Sequence, residues 1–173
     1  LRTGDPYREE VELGPIVNEK QLGRVDDIVQ RSIAGGATLV EGGTHEGLFY
    51  RPTVLTGVTT SSPAWTDEIF GPVAPVVTFE TDDEAVALAN SSAYGLVASI
   101  YTRSVGRGLA IADRMRTGMV HINDGTLNDE AIVPFGGMGD SGNGSRYGGE
   151  ASLDTFTEWQ WVTVRDEPPT FPY

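Results

Sequence analysis

The order of apolar and polar positions along the chain predicts an alternation of helices and strands. From residue 18, apolar residues recur every three or four positions, which indicates a helix with one buried face. That face comprises Leu22, Val25, Ile28, Val29 and Ile33. Asn18 is the expected N-cap, with Gln21 three residues later, and Gly35 and Gly36 supply the stop.

The rest of the chain continues this alternation. β-Branched and aromatic runs predict short strands, and these runs lie at 37–43, 50–58, 72–80, 96–102, 119–123 and 156–164. Pro75 inside the third run suggests a strand edge or a bulge. Helices are expected over 81–92, where Thr81 and Glu84 form a capping box, and from Ser104 to Gly118. Connections of this length favour right-handed crossovers, so we predict one α/β domain built on a parallel sheet.

Composition narrows the classes of partner. The 173 residues carry a formal net charge of -13, and the twelve basic residues are scattered. We therefore expect neither nucleic acid nor an anionic membrane as partner, since both need clustered Lys and Arg. No apolar run approaches the roughly 18 residues of a membrane span, so we expect a cytoplasmic protein. The first residue is Leu1, which suggests that the chain begins partway through a longer product.

The residue types that could carry chemistry are restricted as well. The absence of cysteine excludes disulfides, thiolate zinc sites and a cysteine nucleophile within this chain. The two histidines lie far apart in sequence, so no metal site is expected. His121, on an apolar run, is interpreted as a core histidine with satisfied hydrogen bonds, and Asn123 as a residue that holds the following turn. His45 is expected to be exposed in a polar turn.

A glycine-rich stretch at 134–150 contains a formal G-x-G-x-x-G at Gly137, Gly139 and Gly142. A dinucleotide-binding loop needs a strand before these glycines and a helix directly after them. Pro134 interrupts the preceding apolar run, and three more glycines follow Gly142. We therefore predict that the glycines serve tight turns, positive φ angles or close backbone approach instead of phosphate binding.

Seven short motifs, taken together, identify a resemblance. They are LGPIV at 13–17, YRPTVL at 50–55, DEIFGPV at 67–73, YGLVASIYT at 94–102, GMVHIND at 118–124, PFGGMGDSGNG at 134–144 and FTEWQWVTV at 156–164. In this order and spacing the chain resembles the aldehyde dehydrogenase superfamily from Gly4 to about Arg165. The resemblance covers only the C-terminal part of such an enzyme, and it departs from the family at Gly139, where many members have lysine, and at Ser145, which looks like an insertion.

The resemblance implies roles for five residues. Glu68 looks like the glutamate that accepts hydrogen bonds from the hydroxyls of the nicotinamide-side ribose, and Phe70 like the aromatic packed near that ribose. Phe135 looks like the aromatic at the inner end of the aldehyde tunnel. Leu127 and Asn128 fall on a loop that shapes substrate choice in the family.

The implied reaction transfers hydride from an aldehyde to NAD or NADP. A cysteine thiolate attacks the aldehyde, and water activated by a glutamate hydrolyses the resulting thioester. Both groups lie upstream in the family, so this chain would contribute positioning and no catalytic residue. The run from His121 to Gly137 is most similar to the branch that acts on aromatic aldehydes such as benzaldehyde or vanillin. A CoA-acylating or semialdehyde-specific member, and a truncated non-catalytic module that associates with full-length subunits, are the alternatives.

The last predicted strand completes the expected organisation. We assign 1–155 to the catalytic domain, 156–165 to an oligomerisation strand and 166–173 to a C-terminal tail. Trp159 and Trp161 on one face of the strand need a covering surface. Either they pack on the helices of this chain, or the strand joins an intersubunit sheet, which implies a homo-oligomer, a dimer or a tetramer.

Overall fold

The computed structural model describes residues 1–170, which form two compact units, Leu1–Ser92 and a second unit from Ala93 onward. Within residues 1–170, no helix is long and apolar enough to cross a membrane. The division falls in the sequence just before Tyr94, between a helix and a strand. The last three residues of the predicted tail, 171–173, lie outside the described residues.

The first unit packs a long helix with a small mixed sheet. Its elements are α1 (Glu19–Ala34), β1 (Thr38–Glu41), β2 (His45–Glu46), β3 (Phe49–Tyr50), β4 (Thr53–Thr56), α2 (Pro63–Thr66), β5 (Val73–Pro75) and α3 (Asp82–Ala89). The three-stranded sheet has the order β1-β4-β5, with β1 antiparallel and β5 parallel to β4. β2 and β3 form a separate antiparallel pair.

Helix α1 forms as its sequence predicts. The Asn18 side chain accepts a hydrogen bond from the backbone N–H of Gln21, which satisfies a donor that the first turn leaves unpaired. Four of the five predicted stripe residues are buried, whereas Ile33 is only partly buried. Ser32 is buried in its place, donates to the Ile28 carbonyl and accepts from the Ala64 backbone N–H at 2.9 Å. This serine therefore ties α1 to α2 without leaving a buried polar atom unpaired.

The second unit consists of short elements. They are β6 (Tyr94–Gly95), β7 (Val97–Ile100), α4 (Val105–Ala112), β8 (Met119–Ile122), β9 (Met138–Gly139) and α5 (Ala151–Phe156). β7 and β8 pair in parallel around the crossover helix α4, and β6 pairs with β9 in antiparallel fashion. The predicted βαβ arrangement is confirmed for β7–α4–β8.

Three sequence predictions need correction. The strands form mixed sheets, because β1, β2 and β6 each have an antiparallel partner, although the α/β class is confirmed. The helix after Ser104 ends at Ala112 instead of continuing to Gly118. In the capping box, Thr81 accepts from the Glu84 N–H as expected, but the Glu84 carboxylate accepts from the Glu80 N–H, one residue before the predicted donor.

The strand predicted at 156–164 is also not observed. Phe156 is the last residue of α5, and residues 157–165 pair with no strand in the described part of the chain. A strand exists only through its ladder partner, so this segment, however rich in β-forming residues, cannot be a strand by itself. The boundaries at 155 and 165 stay predictions.

Candidate functional site

Glu68 and Phe70 lie on a short irregular segment between α2 and β5 whose main chain is bound to α1. The Arg24 guanidinium donates to the Glu68 carbonyl oxygen at 2.7 Å. The Gln21 side-chain amide donates to the carbonyl oxygens of Ile69 at 3.1 Å and Phe70 at 3.2 Å. Three consecutive carbonyls are thus bound by two side chains one helical turn apart, which fixes the backbone from which Glu68 and Phe70 project.

The backbone next to these residues is constrained further. Phe70 has φ of 54°, a left-handed conformation that is uncommon for a residue with a large side chain. A Cβ at Gly71 would lie 2.7 Å from a Val25 methyl carbon, so only glycine lets the chain approach α1 this closely. Local strain of this kind persists only where surrounding contacts hold it in place. The α1 bonds and the Gly71 contact are such contacts.

The side chains on this segment point to solvent. Phe70 is 74% exposed and Glu68 is exposed. Within residues 1–170, the Glu68 carboxylate makes neither a hydrogen bond nor an ion pair, because Arg24 binds the backbone carbonyl instead. An ionised carboxylate is an acceptor only, with two oxygens, and these match two neighbouring hydroxyl donors such as those of a ribose. The two acceptor oxygens of Glu68 therefore fit the hydroxyls of a nucleotide sugar.

Sequence reasoning missed Gln21 and Arg24 as members of this site. Both are polar positions that border the buried stripe of α1, next to Leu22 and Val25. A side chain at the edge of a buried helix face is well placed to reach the element packed against that face. The periodicity that predicted α1 therefore contained a weak signal for them.

In the second unit, Asn128 and Leu127 lie on a turn closed by Asp124. The Asp124 carboxylate accepts from the Asn128 side-chain amide at 2.6 Å and from the Gly125 N–H at 2.8 Å. The Asn128 hydrogen bond, followed by that from Gly125, lowers the pKa of Asp124 below its ordinary value. Asn128 is thus occupied within the loop, whereas Leu127, between the two bonded residues, is 97% exposed.

This turn is anchored at the carboxyl ends of the two parallel strands. The Ser99 hydroxyl of β7 donates to the Asp124 carbonyl oxygen. Asn123, just after β8, accepts from the Thr102 N–H at 2.7 Å through its side-chain oxygen and has φ of 58°. The carboxyl ends of parallel strands are where α/β proteins place ligands, so the Leu127 turn stands at a suitable edge. Asn123 thus holds the chain beside the end of β7. The sequence predicted that its side chain would hold the turn directly after it, so the observed partner is more distant along the chain.

Phe135 is half-buried and pairs with Tyr147. Their backbones form an isolated antiparallel bridge, with N–H to carbonyl distances of 2.7 and 3.0 Å. Their ring centroids are 5.1 Å apart and the ring planes are inclined by 44°. Sequence reasoning assigned Phe135 to the substrate side but did not include Tyr147, because the twelve-residue separation gives no periodic signal.

The predicted site residues thus fall into two groups. Glu68 and Phe70 belong to the first unit, whereas Leu127, Asn128 and Phe135 belong to the second. In both groups, hydrogen bonds fix the main chain that carries the predicted site residues. The course of the backbone therefore determines where these side chains project.

Comparison with known proteins decides the family. The aldehyde dehydrogenase family model matches residues 1–162 of this chain. This chain belongs to the aldehyde dehydrogenase family. It is 51% identical to a vanillin dehydrogenase from Amycolatopsis sp. and 48% identical to an NAD(+) benzaldehyde dehydrogenase from Pseudomonas putida, and both alignments cover 100% of the chain. The chain spans only 36% of the length of these relatives.

Solved structures agree with this assignment. The aldehyde dehydrogenase of Mycobacterium tuberculosis, complexed with NAD+, superposes with a TM-score of 0.85 at 36% identity, covering 91% of this chain and 33% of that one. HpcC from Thermus thermophilus superposes with a TM-score of 0.91 at 32% identity, covering 99% of this chain and 35% of that one. The aldehyde dehydrogenase fold expected from the motifs is therefore confirmed.

The glycine-rich stretch of this aldehyde dehydrogenase chain is used for close backbone approach. A Cβ at Gly118 would lie 1.7 Å from the Gly136 carbonyl oxygen, and one at Gly139 would lie 2.2 Å from the Ala93 carbonyl oxygen. Gly139 also has φ of 56° and lies in β9. No helix directly follows Gly142; the next one, α5, begins at Ala151. The geometry therefore lacks the helix N-terminus that a dinucleotide fingerprint requires, as the sequence predicted.

The histidines take no part in these groups. His45 is exposed, as predicted, and its ring stacks on Tyr50 with centroids 6.0 Å apart. His121 is only half-buried on β8, and its Nε2 atom is buried without a hydrogen-bond partner in residues 1–170. The prediction of a satisfied core histidine is wrong for that nitrogen. In the described part of the chain, no group of three or more His, Cys, Asp or Glu side chains could hold a metal.

The two C-terminal tryptophans are exposed. Trp159 is 100% and Trp161 is 92% exposed. The alternative in which they pack on helices of this chain is therefore wrong. Two such side chains on a segment outside any helix or strand form an apolar surface of the kind that marks an interaction site.

Proposed function

We propose that this chain is the C-terminal third of an NAD- or NADP-dependent aldehyde dehydrogenase that oxidises aromatic aldehydes to carboxylic acids. Two observations support the aromatic class: the named activities of the vanillin and benzaldehyde dehydrogenases, and identities of 51% and 48% over the whole chain. The chain contains no cysteine, so the nucleophile is supplied by the upstream part of the enzyme. The role of this segment is to position cofactor and substrate.

The cofactor is held through Glu68 and Phe70. When bound, NAD or NADP supplies the hydride acceptor of the reaction. Glu68 accepts hydrogen bonds from the ribose hydroxyls, and Phe70 limits the positions open to that sugar. Because Gln21 and Arg24 bind the carbonyls of this segment, the main chain that carries both side chains is held in place before the cofactor arrives. Such preorganisation matters, since a misplacement of about 1 Å can cost on the order of 100-fold in rate.

The aldehyde is oriented by residues of the second unit. Phe135 supplies an aromatic surface, and Leu127 supplies an exposed apolar side chain on the turn that Asp124 closes. Asn128 contributes through this turn. An apolar wall with few polar groups suits the ring of an aromatic aldehyde such as benzaldehyde, whose only polar group is the carbonyl that reacts.

The observation that carries the cofactor role is the exposed Glu68 carboxylate on a main chain bound at three carbonyls. Its test is Glu68→Gln in the full-length enzyme. We expect kcat/KM for NAD to fall about 10-fold or more, the typical effect of losing hydrogen bonds to a charged group, while circular dichroism is unchanged. Glu10→Gln, at an exposed glutamate of the same unit, is the matched control. Equal kinetics for both variants would reject the role, and parallel assays with NADP identify the preferred cofactor.

The substrate class has its own test. In the full-length enzyme, kcat/KM for benzaldehyde is expected to exceed that for acetaldehyde, and the product is expected to be benzoate with or without added CoA. A preference for acetaldehyde contradicts the aromatic class, and formation of benzoyl-CoA points to a CoA-acylating member instead.

A role in subunit association is the second candidate, favoured by the exposed Trp159 and Trp161. We propose that 156–165 pairs with a sheet of another subunit and so assembles a homo-oligomer, with 1–155 as the catalytic portion. An unpaired apolar strand is prone to self-association. The isolated chain is therefore expected to associate at tens of micromolar in light scattering, and the Trp159→Ser/Trp161→Ser double variant to be monomeric. A monomeric parent chain would contradict this assignment.

A further inference from the structure

We propose that Tyr147 is a specificity-determining residue, whose ring extends the Phe135 surface and favours aromatic over short aliphatic aldehydes. This inference rests on the proposed function of the same site. It starts from the pair already described: a backbone bridge between the two residues and ring centroids 5.1 Å apart. That separation and the 44° inclination fall within the range in which aromatic rings attract each other.

The position of Tyr147 is determined from both sides by α5. The Ser152 hydroxyl accepts from the Gly148 N–H at 2.9 Å, and the Thr155 hydroxyl donates to the Arg146 carbonyl oxygen at 3.0 Å. The residue before Tyr147 and the residue after it are thus each bonded to the helix. Together with the bridge to Phe135, these bonds leave the Tyr147 backbone little freedom, so its ring is presented in one place.

The two rings differ in how much of their surface is exposed. Phe135 is followed by Gly136 and Gly137, and Tyr147 by Gly148 and Gly149. These neighbours carry no side chains that could cover the rings. Phe135 is half-buried, but Tyr147 keeps 56% of its surface exposed. The pair therefore offers an aromatic surface on which only the Tyr147 part is widely open.

A flat substrate ring can use this surface, whereas a short aldehyde cannot. Aromatic rings pack edge-to-face or offset on one another at centroid separations of about 4.5–7 Å. A benzaldehyde ring that contacts Phe135 can reach Tyr147 as well, because the two rings are neighbours. Acetaldehyde has one methyl group and gains little from a second ring. The discrimination comes from the Tyr147 ring and does not need its hydroxyl.

The test compares Tyr147→Leu and Tyr147→Phe in the full-length enzyme, with Tyr7→Leu as control, since Tyr7 is 98% exposed in the first unit. The measured quantity is the ratio of kcat/KM for benzaldehyde to that for acetaldehyde. We expect Tyr147→Leu to lower this ratio about 3- to 10-fold, the typical contribution of an aromatic contact, through a higher KM for benzaldehyde. Tyr147→Phe and Tyr7→Leu are expected to keep the parent ratio.

The results distinguish a role of Tyr147 in specificity from a purely structural role. A Tyr147→Leu enzyme that loses activity equally on both aldehydes identifies a purely structural tyrosine and overturns the inference. If that variant does not fold, Tyr147→Met keeps the apolar volume without a ring and is held to the same criterion. A parent enzyme that prefers acetaldehyde rejects the proposed substrate class itself, whereas a parent preference for benzaldehyde whose ratio is unchanged in Tyr147→Leu rejects only the role of Tyr147.

Discussion

The two units of this chain hold their candidate residues by different means. All buried apolar residues of the described part lie between Ile16 and Val86, in the first unit. In the second unit the residues of β7 and β8 are only half-buried, and the buried position of α4 is Gly108. Glu68 and Phe70 therefore project from a segment bound to a helix of the core, whereas Leu127 and Phe135 are placed by hydrogen bonds and by close contacts at glycine.

Because of this difference, amino-acid substitutions should have different effects in the two units. Removing apolar volume from a packed core reduces the free energy of unfolding, because lost contacts are not replaced. A segment held by polar bonds at the surface loses local order instead, since it can open without unfolding the unit. Variants in the first unit should therefore be compared by their free energy of unfolding. Variants in the second unit should be compared by backbone hydrogen exchange and by substrate specificity.

The largest expected effect is at Leu55, on the central strand β4. Leu55 is fully buried, so Leu55→Ala is expected to lower the free energy of unfolding by about 2–5 kcal/mol in urea denaturation of the isolated chain below the concentration at which it associates. Leu127→Ala, at a leucine that is 97% exposed in the second unit, should change it by less than about 0.5 kcal/mol. Equal losses in the two variants would contradict the contrast between the units.

An intermediate effect is expected at high pH from Tyr50, which is fully buried and donates to the Asp26 carboxylate at 3.1 Å. Burial, and then the Asp26 charge and hydrogen bond, raise the pKa of Tyr50 well above its ordinary value of 10.0. The neutral phenol is thus favoured in the folded state, and its contribution is complete below pH 10 and decreases as the pH rises further.

Urea denaturation between pH 10 and 11.5 measures this dependence. The free energy of unfolding is expected to fall by up to about 1.4 kcal/mol per pH unit. The slope should be smaller in Tyr50→Phe and unchanged in Tyr7→Phe. A parent chain whose stability does not depend on pH in this range would show that Tyr50 is not buried in its neutral form.

The smallest effect on stability, and a local one, is expected at Asp124. Asp124→Ala removes the acceptor for the Gly125 backbone N–H and for the Asn128 side-chain amide, so hydrogen exchange of the Gly125 backbone amide should increase several-fold while the first unit is unaffected. Asp129→Ala, at an exposed residue in the same loop, is the control. Since the bonds lower the pKa of Asp124, the turn should keep its protection on acidification until the pH falls below the ordinary range of an aspartate. Unchanged exchange in Asp124→Ala would show that the turn is held elsewhere.

Local patterns along the chain determined most of the elements. The stripe and N-cap of α1, the capping interaction of Thr81 and the strands β1, β4, β7 and β8 follow from periodicity, side-chain type and short-range hydrogen bonds. The aldehyde dehydrogenase family was also readable from seven motifs in order. These features depend on residues a few positions apart, and such information is present in the sequence itself.

Contacts between residues that are far apart in the sequence are determined by the tertiary structure alone. Gln21 and Arg24 bind carbonyls more than forty positions away, and Tyr147 meets Phe135 through a backbone bridge, contacts for which no local pattern exists. Likewise, the direction of each strand depends on its neighbour, and the segment after Phe156 has no ladder partner in the described chain, so β-propensity did not make it a strand. Side-chain type predicts what a residue can do, but the packing of the chain determines whether a partner is within reach.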